Sequence, residues 1–222
     1  MKSTFRIVQI GILFLGAGTS VFADDQPRVF FAEKFSTPLG SGWSWVRGEP
    51  KAWKVEDGAL KILTLPGHLY AKHNDARNVL LRKTPETTKP WAVEVYVESK
   101  PKLQFEEAGL YWYSDDDNYI SVVQENVGKE VNVRMMREKD GKPVALVEKK
   151  YEAEGVWLRL VIGDGKGTGY YRQTDKDKWQ QMAQADLPAK GEAKVGLNAA
   201  GGPKDTERWA RFRDFRILEY AE

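Results

Sequence analysis

Two glutamates in the segment "EVYVE", Glu94 and Glu98, have the residue type and spacing for carbohydrate chemistry. On a strand, residues four apart share a face and lie ~13 Å apart at ~3.3 Å per residue. Long glutamate side chains leaning together approach the ~5.5 Å that separates nucleophile from acid in a retaining glycosidase. An ordinary solvated strand face explains the same alternation. A second polar concentration is "YAKHNDARN", residues 70–78. There His73 has the chemistry of a proton carrier near neutral pH, with a tyrosine or arginine nearby to complete a base and charge stabiliser. A loop whose Asn and Asp side chains bond local backbone explains that composition equally well. The third is the run Asp115-Asp116-Asp117-Asn118. Adjacent aspartates point in different directions and lack the alternate-residue spacing of a calcium loop. Asp and Asn also stabilise tight turns, so a hairpin turn is expected here.

These groups need strands to position them. From residue 28 onward, short alternating segments are separated by turn signals at roughly ten-residue spacing, the pattern of an all-β sandwich or barrel. Strands are expected at 29–35, 52–55, 59–63, 77–82, 91–98, 108–113, 119–124, 131–139, 144–150, 157–162, 170–173, 179–183, 194–199 and 209–218. Hairpins should turn at Asp57-Gly58, at Asp140-Gly141 and within "GDGKGTG", residues 163–169, since such turns need residues that tolerate positive φ. The last stretch lacks the Gly-Lys-Ser/Thr ending and following helix of a phosphate loop. So many strands in one domain imply two packed antiparallel sheets.

Alternation sorts four strands by face. Val93, Val95 and Val97, then Ala108, Leu110 and Trp112, Ile120 and Val122, and Val131, Val133 and Met135 form the core side. The opposite side holds Glu94, Tyr96, Glu98, Tyr111, Tyr113, Tyr119, Ser121, Asn132 and Arg134. If the four strands are neighbours in one sheet, this is a tyrosine-rich surface edged by carboxylates and an arginine. Tyrosine rings suit the C–H faces and hydroxyl edges of sugars. They are also favoured on any outer sheet face for cross-strand packing.

The first 23 residues have the form of an export signal. Lys2 and Arg6 precede an apolar stretch at 7–17, and Val21-Phe22-Ala23 supplies small residues before Asp24. The stretch falls short of the ~20 apolar residues of a membrane span. A single domain is therefore expected over 24–222, secreted or periplasmic. The whole chain carries 34 basic and 32 acidic side chains, and the leader removes two of the basic ones. A formally neutral remainder argues against nucleic acid and against an anionic membrane surface. It points to an uncharged or weakly charged partner. With no cysteine and two histidines a zinc site is not expected, and no cofactor is, while structural calcium held by Asp and carbonyl oxygens stays open.

"EVYVE" resembles the Glu-x-Asp-x-Glu strand of laminarinase-like glycoside hydrolases, with Tyr96 standing where the central Asp would be. A broader resemblance lies in "FSTPLGSGWSWVRGEPKAWKVEDGALKI", "ARNVLLRK", "EEAGLYWYSDDDNYISV" and "RFRDFRIL". Together they are similar to the concanavalin A-like domain at the C-terminus of family 43 β-xylosidases and in freestanding bacterial secreted proteins. The resemblance implies a jelly-roll of two curved antiparallel sheets and an accessory role, with no catalytic set to transfer. It covers Trp45, Arg47, Trp53, Asn78, Gly109 and Asn118. Trp53 reads as core, while Trp45 and Arg47 lie in an open Gly- and Pro-rich stretch. The leading expectation is an exported, non-catalytic module that binds a glycan or oligosaccharide through Tyr111, Tyr113 and Tyr119, with Glu94, Glu98 and Arg134 as polar partners. Tyr96, His73, Asn78, Trp45 and Arg47 complete the candidate surface. The alternatives are a glycoside hydrolase using Glu94 and Glu98, or His73 with a tyrosine, and a packing module for another exported protein.

Overall fold

The computed structural model describes residues 27–36, 38–188 and 192–220, so the leader expected at 1–23 lies outside the described residues. The described chain is all-β apart from a single 3₁₀ turn at Pro50–Ala52. Its strands are β1 (Arg28–Glu33), β2 (Trp43–Val46), β3 (Trp53–Glu56), β4 (Ala59–Leu63), β5 (Leu69–Tyr70), β6 (His73–Asn74), β7 (Val79–Lys83), β8 (Trp91–Glu98) and β9 (Glu107–Asp115). They continue with β10 (Asn118–Val127), β11 (Glu130–Lys139), β12 (Lys142–Lys150), β13 (Gly155–Gly163), β14 (Lys166–Arg172), β15 (Gln180–Asp186), β16 (Lys194–Ala200) and β17 (Trp209–Glu219). No helix among the described residues is long and apolar enough to cross a membrane.

Two antiparallel sheets face each other, as the strand pattern and the resemblance both imply. One has seven strands in the order β12-β11-β10-β9-β16-β7-β2. The other runs β15-β14-β13-β8-β17-β4-β3, with β1 also paired to β17. The long β17 serves two partners along one edge, β4 at residues 209–212 and β1 at 215–219. It changes partner at Asp214, whose φ of 53° marks a bulge. The core side read from alternation is found except at its end: Val93, Val95, Val97, Ala108, Leu110, Trp112, Ile120, Val122, Val133 and Met135 all lie in the main apolar cluster between the sheets, while Val131, beside the turn, is only half-buried and lies outside it. Each of the larger of these side chains contributes roughly 1.5–3 kcal/mol on burial.

The three Asp-Gly hairpins form as expected. Both central residues have positive φ at Asp57-Gly58 (52° and 66°), Asp140-Gly141 (53° and 67°) and Asp164-Gly165 (50° and 69°). Gly109 is required for a different reason: a Cβ there would lie 2.3 Å from the Val122 carbonyl oxygen.

Two features were not expected. A third, smaller layer covers the outer face of the seven-stranded sheet. The β5–β6 hairpin and its flanks bring Leu69 and Ala76 onto Val79, Leu81, Tyr111, Tyr113, Tyr119 and Val123. In addition, β8 does not neighbour β9. The chain leaves β8 through residues 99–106 and crosses to the other sheet, anchored by Glu106, which accepts bonds from Arg208, Thr64 and the Lys102 and Leu103 amides. The surface expected to unite Glu94, Tyr96 and Glu98 with the tyrosines is thereby divided between two sheets on opposite sides of the sandwich.

Candidate functional site

A cavity of about 390 Å³ lies between the β5–β6 hairpin and the outer face of the seven-stranded sheet. Its floor is built by β9, β10 and β11, which contribute Glu107 and Tyr111, Tyr119, Ser121 and Glu125, and Arg134 and Met136. Its walls are His68, Leu69, Tyr70 and His73 from the hairpin region and Phe105 from the crossing loop. Tyr70 and Phe105 are exposed at 48% and 46%. Two other cavities, of about 420 and 450 Å³, lie beside the 99–106 crossing and are lined by loop lysines and by groups already paired, such as Glu106 with Arg208.

The floor is a bonded polar network. Glu107 and Glu125 stand opposite each other across the β9–β10 ladder. Tyr111 donates its hydroxyl to Glu107 Oε1 at 2.5 Å, and Arg134 donates to Glu125 Oε2 at 2.7 Å. Burial, reinforced by the Glu125 charge, pushes the Glu107 carboxyl up to about 8, against the opposing pull of Tyr111 and Arg134. Burial also raises Glu125, with Arg134 opposing. The pair thus holds a proton at neutral pH beside one ion pair. On the wall, burial lowers His68, partly offset by Asp75.

The hairpin is tied down over this floor. The Tyr119 hydroxyl lies 2.5 Å from the Leu69 carbonyl oxygen and 3.0 Å from Glu138 Oε2, and Glu138 accepts the Ala71 amide. Asn74 donates to Asp117 Oδ1 at 2.7 Å. The aspartate run is a hairpin turn, as expected, and each of its carboxylates has a structural task. Asp115 accepts from the Asp117 amide and the Asn118 side chain. Asp116 accepts both Arg47 terminal nitrogens, at 2.7 and 2.9 Å, and the Tyr113 hydroxyl.

Of the residues singled out in the sequence, Tyr111, Tyr119, Arg134 and His73 therefore meet in the cavity. Tyr111 and Tyr119 are not an open platform: each is 1% exposed, because the third layer covers them. Tyr113 is turned to Asp116 and Arg47 rather than to the cavity. Trp45 stacks on Trp53 at 4.9 Å against the main core. Arg47 also donates to the Ala76 carbonyl, and Asn78 accepts the Glu49 amide at 2.7 Å, so both brace the loop before β3.

Glu94, Tyr96 and Glu98 lie on the far side, on the outer face of the eight-stranded sheet. Glu94 is 1% exposed and bonded to Arg159 and Arg216, while Glu98 pairs with Arg211 and Arg213. Both carboxylates of "EVYVE" are thus engaged in ion pairs, on the face away from the tyrosines. Sequence reasoning missed Glu107, Glu125, His68 and Phe105. The first two continue the alternation of Tyr111 and Ser121 and were within reach of it; the others come from loops and gave no periodic signal.

The comparisons agree with this architecture. The GH43 BlXynB protein from Bacillus licheniformis is 22% identical, with a TM-score of 0.75 over 89% of this chain and 40% of that one. The xylan β-1,4-xylosidase from Bacillus halodurans is 21% identical, with a TM-score of 0.73 over 85% of this chain and 39% of that one. This chain thus spans about two-fifths of the length of those proteins. A functionally unknown protein from Saccharomyces cerevisiae, 18% identical with a TM-score of 0.65, is covered over 98% of its length by 82% of this chain. No curated protein matches in sequence. Residues 32–218, nearly all of the described sandwich, match the β-xylosidase C-terminal concanavalin A-like domain, and the chain belongs to that family.

Proposed function

We propose that the chain is an exported, non-catalytic carbohydrate-binding module whose site is the cavity between the β5–β6 hairpin and the seven-stranded sheet. One observation carries this reading: exposed aromatic walls, Tyr70 and Phe105, stand over a floor of buried and mutually bonded polar groups, Glu107, Tyr111, Glu125 and Arg134. Apolar area with a few fixed polar groups is the composition of a small-ligand pocket, and the volume is in that range. Aromatic walls suit the C–H face of a sugar ring, and the fixed floor suits its hydroxyl edge. A protonated Glu107 adds both a donor and an acceptor without adding charge, which favours an uncharged ligand. Membership of a family named for β-xylosidases makes short xylo-oligosaccharides the first ligands to test. Export rests on the sequence of residues 1–23.

Calorimetric titration of the chain with xylo-oligosaccharides tests the site. Tyr70→Ala and Phe105→Ala should each weaken binding about tenfold, equivalent to ~1.4 kcal/mol, with little salt dependence. Affinity unchanged in both variants would overturn the assignment. A second reading rests on Glu107, because a carboxyl kept protonated beside a carboxylate is also the arrangement of an acid catalyst. Release of sugar ends from the same samples, lost in Glu107→Gln, would establish that reading instead.

A further inference from the structure

The outer face of the eight-stranded sheet carries a different constellation. Five arginines, Arg159, Arg172, Arg211, Arg213 and Arg216, share it with Trp157, Trp179 and Tyr96, and the carboxylates among them are Glu94 and Glu98. Five arginines against two carboxylates give this part of the face a positive excess, which Asp175 and Asp177 reduce at its Arg172 end. The guanidinium groups lie over rings: Arg159 and Arg172 over Trp179 at 4.0 and 4.3 Å, Arg213 over Tyr96 at 4.8 Å, and Arg216 over Trp157 at 5.3 Å. A guanidinium held over a ring keeps its fixed fork of donors, whose geometry matches a carboxylate bidentately.

Strand registry arranges the patch in rows. In one row Arg159, Glu94 and Arg216 are adjacent, so the cations are partly neutralised. The next row reads Arg172, Trp157, Tyr96, Arg213 and contains no carboxylate. Its end arginines are three strand spacings apart, roughly 14 Å at ~4.8 Å per strand. Arg172 donates to the backbone carbonyls of Asp175 and Asp177 and feels the charges of Glu94, Asp175 and Asp177, but no carboxylate of the described residues is hydrogen-bonded to it. Arg213 has a single 3.4 Å contact to Glu98, which it shares with Arg211. Both therefore retain free donors.

We propose that this row is a second binding site, specific for an acidic, uronate-bearing polysaccharide laid across the strands, with Arg172 and Arg213 gripping carboxylates at separate points along one chain. The charge excess calls for an anion. The separation of the two arginines by aromatic rings calls for anionic groups spaced along an extended chain rather than one compact anion. This site lies on the opposite side of the sandwich from the cavity, so its failure leaves the cavity proposal standing.

Affinity electrophoresis of the whole chain through gels containing polygalacturonate tests the proposal. The wild type should be retarded at low salt and should lose about tenfold in affinity between roughly 50 and 500 mM salt, as screening requires. A methyl-esterified polymer should not retard it. Arg172→Gln with Arg213→Gln should weaken retention about tenfold while leaving xylo-oligosaccharide titrations unchanged. Arg172→Gln alone, which removes no ion pair, should give a smaller loss in the same direction, and circular dichroism checks that both variants are folded. The idea fails if the wild type is not retarded, if the esterified polymer or duplex DNA retards it equally, or if the folded variants migrate as the wild type does.

Discussion

The two outward faces of the sandwich are built from similar residues and put them to opposite uses. On the seven-stranded sheet, carboxylates outnumber cations: Glu107, Glu125 and Glu138 stand near Arg134, under a covering hairpin. On the eight-stranded sheet, arginines outnumber carboxylates and no third layer of the described residues covers them, so their side chains stay partly exposed while Glu94 is buried between two of them. Covering a face leaves excess carboxylates without solvent, and burial raises all three, Glu107 to about 8. Leaving a face open lets excess arginines stay charged, ordered by the rings beneath them. The difference lies in the added layer, not in the strands themselves.

The largest effect expected is from Glu94→Gln. It leaves Arg159 and Arg216 facing one another over a buried amide, and breaking a buried pair in this way should cost about 3 kcal/mol in urea denaturation. A loss below ~1 kcal/mol would mean that the open face is held by its ring stacks rather than by this carboxylate.

The covered face should declare itself through pH. Glu107 binds a proton more tightly when folded than when unfolded, so its contribution is present below the ordinary carboxylate value and is lost as pH rises toward about 8. Between those limits stability should fall with rising pH, by no more than ~1.4 kcal/mol per unit for one proton. His68, whose value burial lowers, acts in the opposite direction within the same window. The informative quantity is therefore the difference between wild type and Glu107→Gln, whose curve should lack the Glu107 descent. Superimposable curves would show that the pair does not hold its proton.

A smaller loss, about 1–2 kcal/mol, should follow Tyr119→Phe, which removes the hydroxyl that joins the floor to the Leu69 carbonyl and Glu138. Hydrogen exchange at the Ala71 amide should quicken with it if the hairpin is tied at this point. Unchanged exchange would assign the tie to Asn74 and Asp117 instead.

How much of this was legible depended on which rule each feature obeys. The Asp-Gly hairpins were readable because φ at Asp57, Asp140 and Asp164 must be positive, and few residues accept that cheaply. The core side of β8 to β11 was readable because alternation is local. Alternation cannot say which sheet a strand joins, so Glu94 and Tyr96 were grouped with tyrosines from which a whole sandwich separates them. The two-residue strands at Leu69–Tyr70 and His73–Asn74 are too short for any period, and the layer they form hides Tyr111 and Tyr119. Glu107 and Glu125 were closer to hand. Alternation carries Tyr113 and Tyr111 back to Glu107, and Tyr119 and Ser121 on to Glu125, but the register that sets Glu107 opposite Glu125 is one residue off a plain count from the Asp116-Asp117 turn, because the ladder is irregular between Asn118 and Tyr119.

The smallest effect separates exposure from charge as the cause of the contrast. Glu98 pairs with two arginines, as Glu94 does, but it is one-third exposed and its contacts are 3.2 and 3.4 Å. Solvent should screen that pair, so Glu98→Gln should cost less than ~1 kcal/mol. The same substitution releases Arg211 and Arg213 and raises the positive excess of the open face, so retention by an acidic polysaccharide should increase as stability slips slightly. A cost equal to that of Glu94→Gln would mean that both carboxylates serve the fold. Weaker retention would mean that Glu98 positions the arginines rather than competing for them, and the row would then have to be read as one preassembled unit.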